Sequence, residues 1–157
     1  MRKSLLMVSL AACAIVLSSS VVLAADNWLG TWKVDLAKST YSPGPAPKSL
    51  TLKFEATPGG IKFTGDGVGA DGKPTHSMFL SKFDGKDVPY KGNPDADTAS
   101  PQKIDDNSYD NTWKKGGKAT IAAKVVVSAD GKTMTITQTG TNAKGEAVNN
   151  TIVYNKQ

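Results

Sequence analysis

The residues able to do chemistry are few, and their spacing tells against most reactions. His76 is the single histidine, so any imidazole-activated nucleophile would have to be built around it. It sits in Thr75-His76-Ser77-Met78-Phe79-Leu80, where Met78 and Leu80 compete with Phe79 and Phe83 for the inward parity. One reading puts His76 in a pocket, orienting a ligand or moving a proton. The other, favoured by the nearby turn, is an ordinary histidine at a strand end. Zinc wants three or four His, Cys or carboxylate ligands, and Cys13 is the only cysteine, so no metal site, no cofactor and no catalytic residue is assigned. Asn93, Asp95 and Asp97 imitate the start of a calcium loop, but Thr98 stands where the turn glycine belongs and Ile104 where the closing acid belongs. They read as an acidic surface loop. Gly65-Asp66-Gly67-Val68-Gly69 imitates a phosphate cradle, yet a hairpin follows it where a helix would have to begin. Asn149-Asn150-Thr151 matches a glycosylation acceptor, but in mid-strand. Asp35, Glu55, Asp66 and Asp110 all fall on the polar parity of their runs, whereas acid–base chemistry needs a buried carboxyl.

The basic residues narrow the ligand instead. Arg2 is the only arginine, and it lies in a segment that reads as a leader. Arg2 and Lys3 precede an apolar run from Leu5 to Leu23, and small residues end it, which is the pattern of a secretory signal cut after Ala24. The rivals are a membrane anchor, which the run of three serines opposes, and a lipoprotein with Cys13 lipidated, which the early position of Leu10-Ala11-Ala12-Cys13 opposes. Export, periplasmic or secreted, is the preferred reading. Residues 1–24 form the leader and residues 25–157 a single domain, with no disulfide and no stable membrane span after cleavage. That domain carries 17 lysines against 14 acids, a net charge of +3, with no basic block that would favour nucleic acid. It also has no arginine fork with which to grip a carboxylate or phosphate.

What must position these residues is a set of strands. No segment after the leader sustains a helical apolar period over three turns. Trp32, Val34 and Leu36 alternate with polar residues, as do Leu50, Leu52 and Phe54, then Ile61 and Phe63. Ile121, Ala123, Val125 and Val127 share one parity, while Met134 and Ile136 oppose a ladder of Thr133, Thr135, Thr137 and Thr139. Val148, Asn150, Ile152 and Tyr154 form a final run. Asp71-Gly72, Asp84-Gly85 and Asp130-Gly131 supply hairpin turns between them. The expectation is an all-β fold, an antiparallel up-and-down barrel of 8–10 strands. Two stretches break the meander: the proline-rich 40–48, a long first connection lying across an open end, and 87–101, a looped or edge region.

Gly30-Thr31-Trp32 near the start of the barrel, with the closing Val153-Tyr154, resembles the lipocalin and fatty-acid-binding protein (calycin) superfamily. Gly-Thr-Trp-Lys at 30–33, Pro-Gly-Pro-Ala-Pro-Lys-Ser at 43–49, Ser-x-Asp-Gly-Lys-Thr-Met-Thr at 128–135 and Val-Tyr-x-Lys at 153–156 are similar to small exported bacterial lipocalin-like proteins of unassigned function. The resemblance implies that Gly30 and Trp32 are structural, with the indole packed across the closed end. It also implies a basic residue over that indole, a role left to a lysine such as Lys124 or Lys156. Fatty-acid-binding proteins hold a carboxylate with Arg-x-Tyr on the last strand. Here the tripeptide is Ile152-Val153-Tyr154, and fatty-acid binding is not carried over.

Parity then predicts a barrel lining of Phe54, Phe63, Met78, Leu80, Trp113, Met134, Ile152 and Tyr154, extended by Leu52, Ile121, Val125 and Ile136. Tyr109 and Asn111 share the face of Trp113, and Gln138 and Asn150 lie near a rim. Three functions remain open. The first is a non-enzymatic carrier or sensor of a small neutral apolar ligand, with Tyr154 as its polar handle. The second is an envelope module that binds or inhibits a protein partner through loops 40–48 and 87–101, with a filled barrel. The third is a barrel isomerase or cyclase using His76 or Tyr154. A void of roughly 300 Å³ or more separates the first from the second.

Overall fold

The computed structural model describes residues 26–157. The leader, its cleavage after Ala24 and Cys13 lie outside them. Ten antiparallel strands follow one another as a meander: β1 Gly30–Thr40, β2 Ser49–Thr57, β3 Gly60–Val68, β4 Pro74–Ser81, β5 Val88–Pro89, β6 Thr98–Asp105, β7 Ser108–Lys115, β8 Lys118–Val127, β9 Thr133–Thr141 and β10 Ala147–Lys156. Their spatial order is β4-β3-β2-β1-β10-β9-β8-β7-β6-β5, so the first and last strands pair and the sheet curls almost into a closed barrel. This is the all-β, antiparallel up-and-down architecture that the alternation and the tight turns predict. The glycines of all three Asp-Gly turns have positive φ, as hairpin turns of this kind require. Among the described residues, no helix is long and apolar enough to cross a membrane.

The ladder is incomplete only between β4 and β5. There the wall is stitched by two isolated bridges: Gly85 N to Pro101 O and Lys103 N to Phe83 O beyond the end of β4, and Met78 N to Lys91 O and Lys91 N to Met78 O along it, all 2.9 Å. Gly92 makes that approach possible: a Cβ there would lie 2.0 Å from the carbonyl oxygen of His76, at φ +76°.

The seam also decides the parity of β4. Phe63 faces Phe79 across β3 and β4, with ring centroids 4.7 Å apart, and Phe79, Ser81 and Phe83 point inward. Met78 and Leu80 therefore point out. Leu80 is 44% exposed, which corrects the expected lining at both positions. β1 carries a second departure. Its pairing with β10 shifts between Asp35 and Thr40, and Leu36 turns outward on the bulge. β6 begins at Thr98, so the looped region is shorter than 87–101. Pro101 is tolerated inside β6 because β5 pairs no further along it than Ala99.

One end of the barrel is closed by residues 26–29. Asn27 N donates to Asp106 O at 2.8 Å, and Lys103 Nζ reaches Asp26 at 2.5 Å and Asp106 at 2.7 Å. Trp28 and Trp32 are fully buried beneath this plug, joined by a 2.8 Å bond from Trp32 Nε1 to Trp28 O. Lys156 Nζ sits 5.1 Å from the centre of the Trp32 ring. Gly30 gives it room, since a Cβ there would lie 3.2 Å from Lys156 Cε.

Candidate functional site

The opposite half of the barrel is hollow. A cavity of about 400 Å³ lies inside it, within the range of small-molecule sites. β2, β8, β9 and β10 give an aliphatic wall of Leu50, Leu52, Val125, Ile136 and Ile152, and β3, β4 and β7 an aromatic one of Phe63, Phe79, Tyr109 and Trp113. These residues face inward because side chains alternate across each strand. Tyr41 and Pro47 from the β1–β2 connection, and Tyr90, Asn93, Pro94 and Asp95 on the β5–β6 side, complete the wall and frame the mouth. A smaller pocket of about 150 Å³ adjoins it and shares Tyr41, Asp95, Trp113 and Gln138.

All four tyrosines of the protein line this one cavity. Burial pushes the Tyr41 phenol up to about 12. It raises Tyr90 too, offset in part by hydrogen bonds with Asn93 and Ser77. Tyr109 and Tyr154 rise far above the ordinary phenol value, because burial disfavours the phenolate and the neighbouring phenols add to the effect. At neutral pH the cavity therefore presents four O–H groups.

Three buried polar atoms in its wall have no hydrogen-bond partner: Tyr41 Oη, Asn111 Oδ1 and Trp113 Nε1. Asp95 is the one charged residue in the lining, and its carboxylate accepts from Ala143 N at 2.9 Å. Among the described residues, no lysine reaches the lining.

The other sequence candidates take definite places. Phe63, Trp113, Ile152 and Tyr154 line the cavity, with Leu52, Val125, Ile136 and Gln138. Phe54 and Met134 are buried in the core outside its wall. Ile121 and Asn150 line the smaller pocket, where Asn150 Nδ2 donates to Gln138 Oε1 at 3.0 Å. His76 lies on the outer surface, its Nδ1 2.6 Å from Asp66 Oδ1 and its side chain 60% exposed, so it takes no part in the cavity. The Asn93–Asp97 triplet ties loops together: Asn93 Oδ1 accepts from Asp95 N, and Asp97 Oδ2 accepts from Gly116 N.

Sequence reasoning missed Tyr41, Phe79 and Tyr90 as lining residues. Tyr41 and Tyr90 sit in segments read as connections, where parity assigns no direction. Tyr154 is thus not the sole polar handle.

No protein-family model matches the chain, and the comparison with curated proteins gave no match. Among solved structures, the zebrafish ileal bile acid-binding protein, crystallised with cholic acid, aligns over 83% of this chain and 99% of that one. The identity is 12% and the TM-score 0.49.

Proposed function

We propose that this protein is an exported, non-enzymatic carrier or sensor that holds a small uncharged molecule inside its barrel. The observation that carries the reading is the hollow half-barrel of about 400 Å³. A filled interior was the condition attached to the protein-partner alternative, and the interior is not filled. The loops named for that role, 40–48 and 87–101, contribute Tyr41, Pro47, Tyr90, Asn93, Pro94 and Asp95 to the cavity wall.

Neutrality follows from the wall. An anion brought inside would lose its hydration and meet no cation in the lining, at a cost of several kcal/mol. Apolar surface is stabilised there by about 25 cal/mol per Å² removed from water.

Occupancy is tested with N-phenyl-1-naphthylamine, an uncharged dye that brightens in apolar surroundings, titrated into residues 25–157. A single saturable site is expected. Ala123, a small inward residue on the cavity wall, offers the control: Ala123→Phe should weaken dye binding at least about tenfold, roughly 1.4 kcal/mol, while circular dichroism stays β-type. Equal binding by a folded Ala123→Phe protein would place the dye elsewhere and defeat the reading. Export is read from the N-terminus of the secreted chain by mass spectrometry. Ala25 is expected there, and a retained leader or a lipidated Cys13 contradicts the proposal.

A further inference from the structure

We infer that the natural ligand carries both a hydrogen-bond acceptor and a hydrogen-bond donor, received by Trp113 Nε1 and Asn111 Oδ1. This rests on the cavity reading above and specifies its ligand. The apolar area alone would admit any greasy molecule, but the unpartnered atoms would not.

β7 places Asn111 and Trp113 on the same inward face, two residues apart and so roughly 7 Å along the strand. The indole N–H can only donate, the amide oxygen of Asn111 can only accept, and the Tyr41 hydroxyl does either. None has a partner among the described residues. In the empty barrel, water can satisfy them. A purely apolar occupant expels that water and leaves each group desolvated without a partner.

A hydrocarbon therefore gives back through these atoms much of what its burial gains. A neutral molecule bearing a carbonyl or ether oxygen and an O–H or N–H keeps both terms. Position agrees with this: Tyr41 and Trp113 also border the smaller pocket at the mouth, whereas the aliphatic side chains Leu52, Val125 and Ile136 border the cavity alone. The ligand enters with its apolar body inward and its polar groups toward Trp113, Asn111 and Tyr41. Trp28 Nε1 is also unpartnered among the described residues, but Trp28 belongs to the closed end and does not line this cavity.

Displacement of N-phenyl-1-naphthylamine by four matched competitors tests the inference: naphthalene, 2-acetylnaphthalene, 6-acetyl-2-naphthol and 2-naphthoate, with one ring system throughout. The acetylnaphthol is expected to bind about tenfold or more tighter than naphthalene, with acetylnaphthalene between them and naphthoate weakest. In Asn111→Leu and in Trp113→Phe, the ratio of the acetylnaphthol to naphthalene dissociation constants should shrink to about threefold or less. The wild-type series stands alone should either variant fail to fold. A dye that binds but is displaced equally by naphthalene and the acetylnaphthol overturns the inference and leaves the cavity reading intact. Tightest binding of naphthoate overturns it as well. A dye that does not bind at all overturns the cavity reading, and the inference with it.

Discussion

Four tyrosines scattered along the chain at 41, 90, 109 and 154 meet around one space, and that convergence sets the chemistry of the cavity. Each phenol has its pKa raised by burial. The folded protein therefore keeps protons that the unfolded chain releases above about pH 10. By linkage, stability from these groups is intact below that pH and declines as pH climbs beyond it. Absorbance at 295 nm should show no tyrosinate in the native protein near pH 10. Tyr41 should titrate at about 12, and Tyr109 and Tyr154, which burial raises furthest, should appear only together with unfolding. A native tyrosine titrating at an ordinary phenol pKa would mean that its hydroxyl reaches water. None of this convergence shows in the sequence. Alternation orients Tyr109 and Tyr154 because both lie in strands, but Tyr41 and Tyr90 lie outside them.

Among the elements, β4 shows where period-two reasoning loses its grip. Both parities of 75–83 carry apolar side chains, so the pattern alone leaves the direction open. What decides it is the cross-strand stack of Phe79 on Phe63 and the burial of Ser81, whose hydroxyl accepts from Phe83 N at 3.0 Å. Strand β9 was legible because Thr133, Thr135, Thr137 and Thr139 make one face wholly polar, and β8 because Ile121, Ala123, Val125 and Val127 share the buried parity. The β4–β5 seam was not, since it depends on two isolated bridges, Met78–Lys91 and Asp84–Gln102, and on Gly92. Gly92→Ala should cost about 2 kcal/mol or more, through the clash with His76 O and the positive φ. Gly131→Ala, also at positive φ but facing open space, should cost less. Hydrogen exchange in Gly92→Ala should quicken first at the amides of Met78 and Lys91. Equal losses in the two variants would show that the seam contributes nothing to closure.

At the scale of the whole molecule, the barrel is asymmetric: indoles and a lysine-capped plug fill one end, and the other is left open. The motif Gly30-Thr31-Trp32 pointed to the closed end, and the lack of any arginine beyond Arg2 pointed to an uncharged guest. The hollow could not be read from either, because a cavity is the volume that side chains fail to fill, and no single position encodes it. Competition between 1-decanol and decanoate for the dye site at pH 7 tests the central claim most directly, since the two differ only in the charged head. The alcohol is expected to bind at least about tenfold tighter, the preference that a lining without cations imposes. Tighter binding of decanoate, retained in Tyr154→Phe, would contradict the account.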